Sequence, residues 1–190
     1  MATTQSIIDT IEDLRDQGSP VAVGISGFGG SGKSTITRQL NAAIEGSARI
    51  RGDDFLDPHR SHQRSSDWDG VERVRLREEV LHPFRQGRPG VLRRFDWGIL
   101  QLGAPEALPR AQVLIVDAIG LFHPELEGDF DLTIWVDLDL STATARGKVR
   151  DRQLGRSHDQ LWDEVWVPNE RDFVARFDPR SAADHLFDSH

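Results

Sequence analysis

Cysteine and tyrosine are both absent from this chain of 190 residues, and its one methionine is Met1. Without a thiol there is no disulfide, no zinc-thiolate site and no cysteine nucleophile, so any chemistry falls to oxygen and nitrogen groups; the lack also fits an intracellular protein. Without a phenol there is no tyrosine acid, base or hydrogen-bonding ring. Surplus positive charge is missing too: 23 Lys and Arg against 31 Asp and Glu give a net charge of −8. A protein held to nucleic acid or an anionic membrane by phosphate attraction needs the opposite sign, so neither is expected as a partner. No run of about 18 apolar residues occurs, and Met1 to Leu14 carries Asp9, Glu12 and Asp13 where a targeting leader has a basic region and an apolar stretch. The expectation is a soluble, cytoplasmic protein.

What is present is enough for a core. Hydrophobic residues make up 37% and 17 glycines add to them, which reaches the roughly 45–50% apolar share of a globular chain. The length fits one domain over residues 1–190. Ile7, Ile11 and Leu14 share a helical face, with Ser6 and Asp9 at capping-box spacing, and Gly18, Ser19 and Pro20 end that helix. Val21 to Ile25 reads as a strand buried on both faces, and Ile36, Leu40 and Ile44 recur at helical spacing up to Gly46. Ala48 to Gly52 reads as a second strand; Val113 to Val116 and Leu132 to Val136 are further buried strands, ending in Asp117 and Asp137. The spacing predicts a helix over 71–81 stopped by Pro83, an irregular excursion over 85–110, a helix capped by Ser141 to about Leu154, and a last helical stretch interrupted at Pro168. Alternating buried strands and helices imply an α/β, doubly wound, mostly parallel sheet with helices on both faces.

Gly27-Phe28-Gly29-Gly30-Ser31-Gly32-Lys33-Ser34 fits the Walker A pattern and lies between a predicted strand and a predicted helix, the context that motif requires. Glycines let such a loop turn its N–H groups toward a phosphate, and the following helix adds its positive end. The expected ATP-binding set is Gly27, Gly29, Gly30, Ser31, Gly32, Lys33, Ser34 and Thr35, with Lys33 bridging the terminal phosphates and Ser34 ligating Mg2+. Asp117, at the end of a buried strand, either reaches that metal or merely caps the next helix. Asp53 and Asp54 follow the second strand, where a carboxylate either accepts a proton from a substrate hydroxyl or forms part of a turn.

These residues resemble the P-loop small-molecule kinases of the uridine kinase, phosphoribulokinase and bacterial pantothenate kinase superfamily, in particular the uridine-kinase-like subgroup. The likeness rests on the Walker A loop, on Asp53-Asp54-Phe55-Leu56-Asp57-Pro58, on Asp117, on Arg146-Gly147-Lys148-Val149-Arg150-Asp151, and on Asp67-Trp68-Asp69, Arg94-Phe95-Asp96-Trp97 and Trp162 through Glu170. It implies a P-loop kinase domain, Asp53 as catalytic base and metal neighbour, and an Arg-rich lid over about 143–158. In that lid Arg146 and Arg150 would meet nucleotide phosphates. It also implies a substrate-side excursion over about 57–110. True uridine kinases carry Tyr and His where Leu56 and Trp68 stand here.

The remaining candidates concern the acceptor. Arg146, Lys148, Arg150, Arg152 and Arg156 against Asp151 make a basic segment that either closes over ATP or is a solvated helix face. Arg94 and Asp96, beside Phe95 and Trp97, could grip an acceptor that is anionic or rich in hydroxyls. Asp54, Phe55, Trp68, Trp166 and Glu170 complete the acceptor set, although aromatics four apart on a helix, Trp162 and Trp166, also suit a core. His59 and His62 have no third metal ligand in view and read as a solvated loop.

The resulting expectation is an ATP-dependent phosphotransferase that moves the terminal phosphate to a hydroxyl of a small nucleoside- or polyol-like metabolite, with Asp53, Lys33 and Arg150 as catalytic groups and ATP and Mg2+ as cofactors. A homo-oligomer is compatible with the sequence. The alternatives are a GTPase-like switch, suggested by Asp117-Ala118-Ile119-Gly120 but lacking an Asn-Lys-x-Asp guanine reader, and a P-loop protein that binds nucleotide without turnover.

Overall fold

The computed structural model describes residues 1–189. Helix α1 (Thr4–Arg15) precedes β1 (Val21–Gly27), α2 (Lys33–Ala43) and β2 (Ser47–Arg51). Helices α3 (Arg73–Leu76) and α4 (His82–Arg85) are joined by a π turn over Arg77–Leu81. Four two-residue strands follow, β3 (Val91–Leu92), β4 (Phe95–Asp96), β5 (Gln101–Leu102) and β6 (Glu106–Ala107). The chain then forms β7 (Val113–Asp117), β8 (Leu132–Asp137) and α5 (Leu140–Gln153). It ends with α6 (Asp159–Leu161), a π turn over Trp162–Trp166, α7 (Val167–Phe177), α8 (Pro179–Ala182) and β9 (His185–Asp188).

The central sheet has the order β2-β7-β1-β8-β9, with every pair parallel. Because side chains alternate across a strand, each apolar run feeds two cores. Val21, Val23, Ile25, Val113 and Ile115 pack under α1 and α2 against Ile7, Ile11, Ile36 and Leu40. Ala22, Leu114, Val116 and Ile50 face the other way, onto Phe55, Leu76, Val80 and Phe84. Each large side chain so buried contributes roughly 1.5–3 kcal/mol. This confirms the doubly wound α/β fold and brings the carboxyl ends of β1 and β7 together, with Ile25 level with Asp117. In such sheets ligands bind outside the carboxyl ends of the strands.

Several local expectations are corrected. Thr3 rather than Ser6 caps α1, and the two exchange hydrogen bonds between side chain and backbone in a capping box. Asp139 rather than Ser141 caps α5, its carboxylate accepting from the Thr142 N–H. Pro83 does not stop its helix and Pro168 does not interrupt its own: each sits in the first turn of the helical segment after a π turn. The N–H groups of His82 and Val167 reach back five residues, to the carbonyls of Arg77 and Trp162, so the bond that proline cannot make is skipped. The 85–110 segment is not wholly irregular; β3 pairs with β6 and β4 with β5, both antiparallel.

The excursion is fastened to the sheet side of the molecule. Buried Arg73 donates to the carbonyls of Trp68 and Gly120 and pairs with Glu125. Buried Asn169 on α7 donates to the Gln63 carbonyl and accepts from the Ser65 N–H.

Candidate active site

The loop between β1 and α2 is shaped by what packs on it. Gly30 has φ +85°, and a Cβ there would stand 2.2 Å from the Ala143 carbonyl oxygen and 2.8 Å from the Gly147 nitrogen. Helix α5 therefore sits directly on the loop. Among the described residues, the N–H groups of Gly30, Gly32, Lys33 and Ser34 donate to no protein acceptor, and the α2 N-cap, Gly32, makes no side-chain cap. Unpaired donors gathered at a helix N-terminus form a cradle for an anion.

Lys33 is buried within this loop, its Nζ donating to the carbonyls of Gly27 at 2.9 Å and Phe28 at 2.8 Å. Burial lowers its pKa, which the negative charges of Glu170, Asp117 and Asp53 oppose and the positive charge of Arg150 reinforces. Charged groups from α7, β7, the turn after β2 and α5 thus converge on one ammonium. Ser34 Oγ donates to Asp117 Oδ2 at 2.8 Å. A hydroxyl and a carboxylate so placed are hard oxygen donors of the kind magnesium takes, the rest of its shell being water and phosphate. Among the described residues no group of three or more His, Cys, Asp or Glu is arranged to hold a metal, and His59 and His62 form no such group.

Glu170 is nearly fully buried, and its Oε1 accepts from the Gly29 N–H at 2.6 Å while its Oε2 has no hydrogen-bond partner among the described residues. Burial pushes its pKa up to about 7, against the Gly29 hydrogen bond and the Lys33 charge. It borders a void of about 10 Å³, walled by Gly27, Phe28, Trp68, Ile119, Trp135 and Phe173. That is space for roughly one water molecule.

No protein-family model matches the chain. Solved structures do. A candidate uridine kinase from Bacillus stearothermophilus is similar with TM-score 0.70 and 16% identity, over 96% of this chain and 99% of that one. A candidate fructose transport system kinase from Silicibacter sp. TM1040 is similar with TM-score 0.74 and 20% identity, over 98% and 100%. A circularly permuted candidate P-loop kinase from Saccharomyces cerevisiae has TM-score 0.65 and 12% identity, over 98% of each chain. This chain has the P-loop kinase fold.

Within that fold the acceptor candidates differ in exposure and in partners. Asp53 lies open, 63% exposed, with Arg51 at 3.5 Å as its ion-pair partner among the described residues. Its neighbour Asp54 is turned inward and accepts from Arg94 at 2.7 Å. Arg94 also reaches Glu106 at 3.2 Å, so its guanidinium is engaged by protein carboxylates. Phe55 is fully buried in the core with the Arg75 guanidinium 4.3 Å above its ring, and Trp68 is buried against Val71 and Phe173. Both side chains are thus packed inside the protein in this conformation rather than open to solvent. Trp166 donates its Nε1–H to the Ser61 carbonyl and packs at right angles to Trp162. Trp97 meets Phe95 edge-on at the exposed β4–β5 hairpin, and Asp96 there accepts from the Gly98 N–H. Glu170 reaches the loop between β1 and α2, where its Oε1 accepts from the Gly29 N–H.

The basic segment is also less free than its sequence suggests. Lys148 pairs with Asp163, Arg150 with Asp151 and Arg152 with Asp159, while Arg146 donates to the Ser189 carbonyl. Sequence reading missed two residues. Asp151, entered there only as a counter-charge, is a buried hub accepting from the Trp162 Nε1–H and from Arg150. Arg49 donates from Nε and Nη2 to both oxygens of Asp117, at 2.9 and 3.1 Å. The available signal was an arginine alternating with Ile50 inside a predicted strand.

Proposed function

We propose that this protein is an ATP-dependent phosphotransferase of the uridine-kinase-like kind, moving the terminal phosphate of ATP to a hydroxyl on a small nucleoside- or polyol-like metabolite. The observation that carries the reading is the set of groups around Lys33: an empty-handed amide cradle, the Ser34–Asp117 pair, and an open Asp53 whose charge reaches the same ammonium. Asp117 and Asp54 are buried and held by guanidinium groups at 2.9 and 2.7 Å, whereas Asp53, with only a long 3.5 Å contact to Arg51 among the described residues, is 63% exposed.

In this reading the acceptor oxygen attacks the terminal phosphorus, its proton passes to Asp53, and the bond to the bridging oxygen breaks to leave ADP. Lys33 and Arg150 offset the negative charge on the transferred group and the leaving oxygen. Ser34 and Asp117 would hold magnesium, which supplies further charge neutralisation at the phosphate oxygens. The single domain carries the acceptor on its 57–110 excursion, and the 143–158 segment closes the phosphate side, excluding water that would waste ATP. The absence of cysteine and the net charge of −8 support a cytoplasmic enzyme acting on a small acceptor.

The test is ADP formation with ATP and magnesium across nucleosides, hexoses and other polyols, sugar phosphates and pantothenate, with Asp53→Asn and Lys33→Ala as controls. One acceptor class should stimulate ADP release, and both variants should lose the stimulated rate. No stimulation by any acceptor, or full stimulated activity in Asp53→Asn, would overturn the reading.

A further inference from the structure

Arg49 stands on the face of β2 opposite Ile50, whose side chain lies in the core with Leu114 and Val116. Only 19% of its side chain is exposed, and its fork closes on the 5%-exposed carboxylate of Asp117. Asp117 Oδ1 accepts from Arg49 Nε, while Oδ2 accepts from both Arg49 Nη2 and Ser34 Oγ. Both oxygens are engaged, and the carboxylate charge is already matched by a fixed cation in the bidentate geometry that suits arginine.

Taking Ser34 and Asp117 as the magnesium site, as proposed above, we infer that Arg49 is a resident counter-ion that keeps this site closed to a lone divalent cation, so that the metal enters together with the phosphates of a nucleotide. A bare dication approaching Asp117 meets the guanidinium in the same place and finds two protein oxygens at most. Phosphates change both conditions: their negative charge offsets Arg49, Lys33 and Arg150, and their oxygens fill the coordination shell that magnesium prefers to complete with phosphate and water. Nucleotide-free enzyme would then hold no misplaced ion in the cradle.

The experiment is titration of the full-length protein with Mn2+ at pH 8, reading free metal by electron paramagnetic resonance, with and without ADP. Wild type should bind Mn2+ weakly without ADP, and Arg49→Gln should bind it about tenfold more tightly, because the neighbouring positive charge is gone. Arg49→Lys, which keeps a charge, should stay near wild type. Equal nucleotide-free affinity in wild type and Arg49→Gln overturns the proposal. If Asp117→Asn weakens Mn2+–ADP binding while that equality holds, the Arg49 inference alone fails; if Asp117→Asn leaves Mn2+–ADP binding unchanged, the magnesium-site reading fails and takes the inference with it. A measurement on wild type needs no variant to fold: the Arg49 Nε–H resonance should stay in place when Mg2+ alone is added and shift with Mg2+ plus ADP. A shift with Mg2+ alone overturns the proposal.

Discussion

The Ala143 carbonyl lies so close to Gly30 that a methyl group added at Gly30 would stand 2.2 Å from its oxygen. Phosphate loop and α5 are therefore one packed unit, and a side chain at this position must push them apart. Gly30→Ala also forces alanine to φ +85°. The expected loss is about 2 kcal/mol or more, from overpacking and left-handed strain together. Thermal unfolding and ADP titration should both register it. Gly18→Ala is the control, because Gly18 has φ +87° but nothing lies within 4 Å of its added Cβ; it should lose only about 1 kcal/mol and leave ADP affinity alone.

Asp53 and Asp54 are adjacent and should behave oppositely. Asp53 is largely exposed, so Asp53→Asn should change stability by less than about 0.5 kcal/mol while lowering the phosphotransfer rate by roughly 10²–10⁴-fold, the range for loss of a general base. Asp54 is buried against an Arg94 that is one-third exposed, and its backbone carbonyl accepts from Arg75 at 2.7 Å. Asp54→Ala leaves a half-buried guanidinium short of a partner, for a loss of about 2–3 kcal/mol after allowing for solvent screening. Urea unfolding beside initial rates separates the two; an inactive but fully stable Asp54→Ala would contradict this division of labour.

Glu170 should make stability depend on pH in a direction unusual for a carboxylate. Burial raises its pKa from 4.5 to about 7, so between those values the folded protein holds a proton that the unfolded chain has released. Its contribution is complete below pH 4.5 and is lost as pH rises through about 7, by at most about 3 kcal/mol. Glu170→Gln stays neutral and can still accept from the Gly29 N–H. Its stability relative to wild type should therefore grow between pH 5 and pH 8 in unfolding titrations, and a flat difference would show that Glu170 is ionised throughout.

The phosphate loop, the strand ends and the two-sided core were legible because each is a local pattern: a glycine spacing, an apolar run, a carboxylate at its end. The hydrogen bonds of Arg49, Asp151 and Glu170 were not legible, because their partners lie 68, 11 and 141 residues away, at Asp117, Trp162 and Gly29. The basic segment misled for the same reason. Its counter-charges Asp159 and Asp163 lie outside it in sequence and are brought back by the turn into α6. Pro83 and Pro168 look like helix breakers until the π turn before each absorbs the missing donor.

Asp151 ties α5 to the π turn before α7, and its removal should loosen that junction. Burial alone would raise its pKa, but hydrogen bonds from the Trp162 indole, Arg150 and His158 bring it below the ordinary aspartate value of 3.8. Trp162 in turn fills the space beside Gly147, where an added Cβ would stand 2.5 Å from its ring. Asp151→Ala leaves the indole N–H unpaired in a buried setting and removes the anion facing Arg150, for a combined loss of about 2–4 kcal/mol near pH 7. A carboxylate with depressed pKa stabilises the fold above its unfolded value and stops doing so as pH falls through the folded one. The gap between wild type and Asp151→Ala should accordingly be full at pH 7 and narrow below pH 3.8. Denaturant unfolding at both pH values measures it, and a gap that stays constant into acid would mean that the charge on Asp151 is irrelevant to the junction.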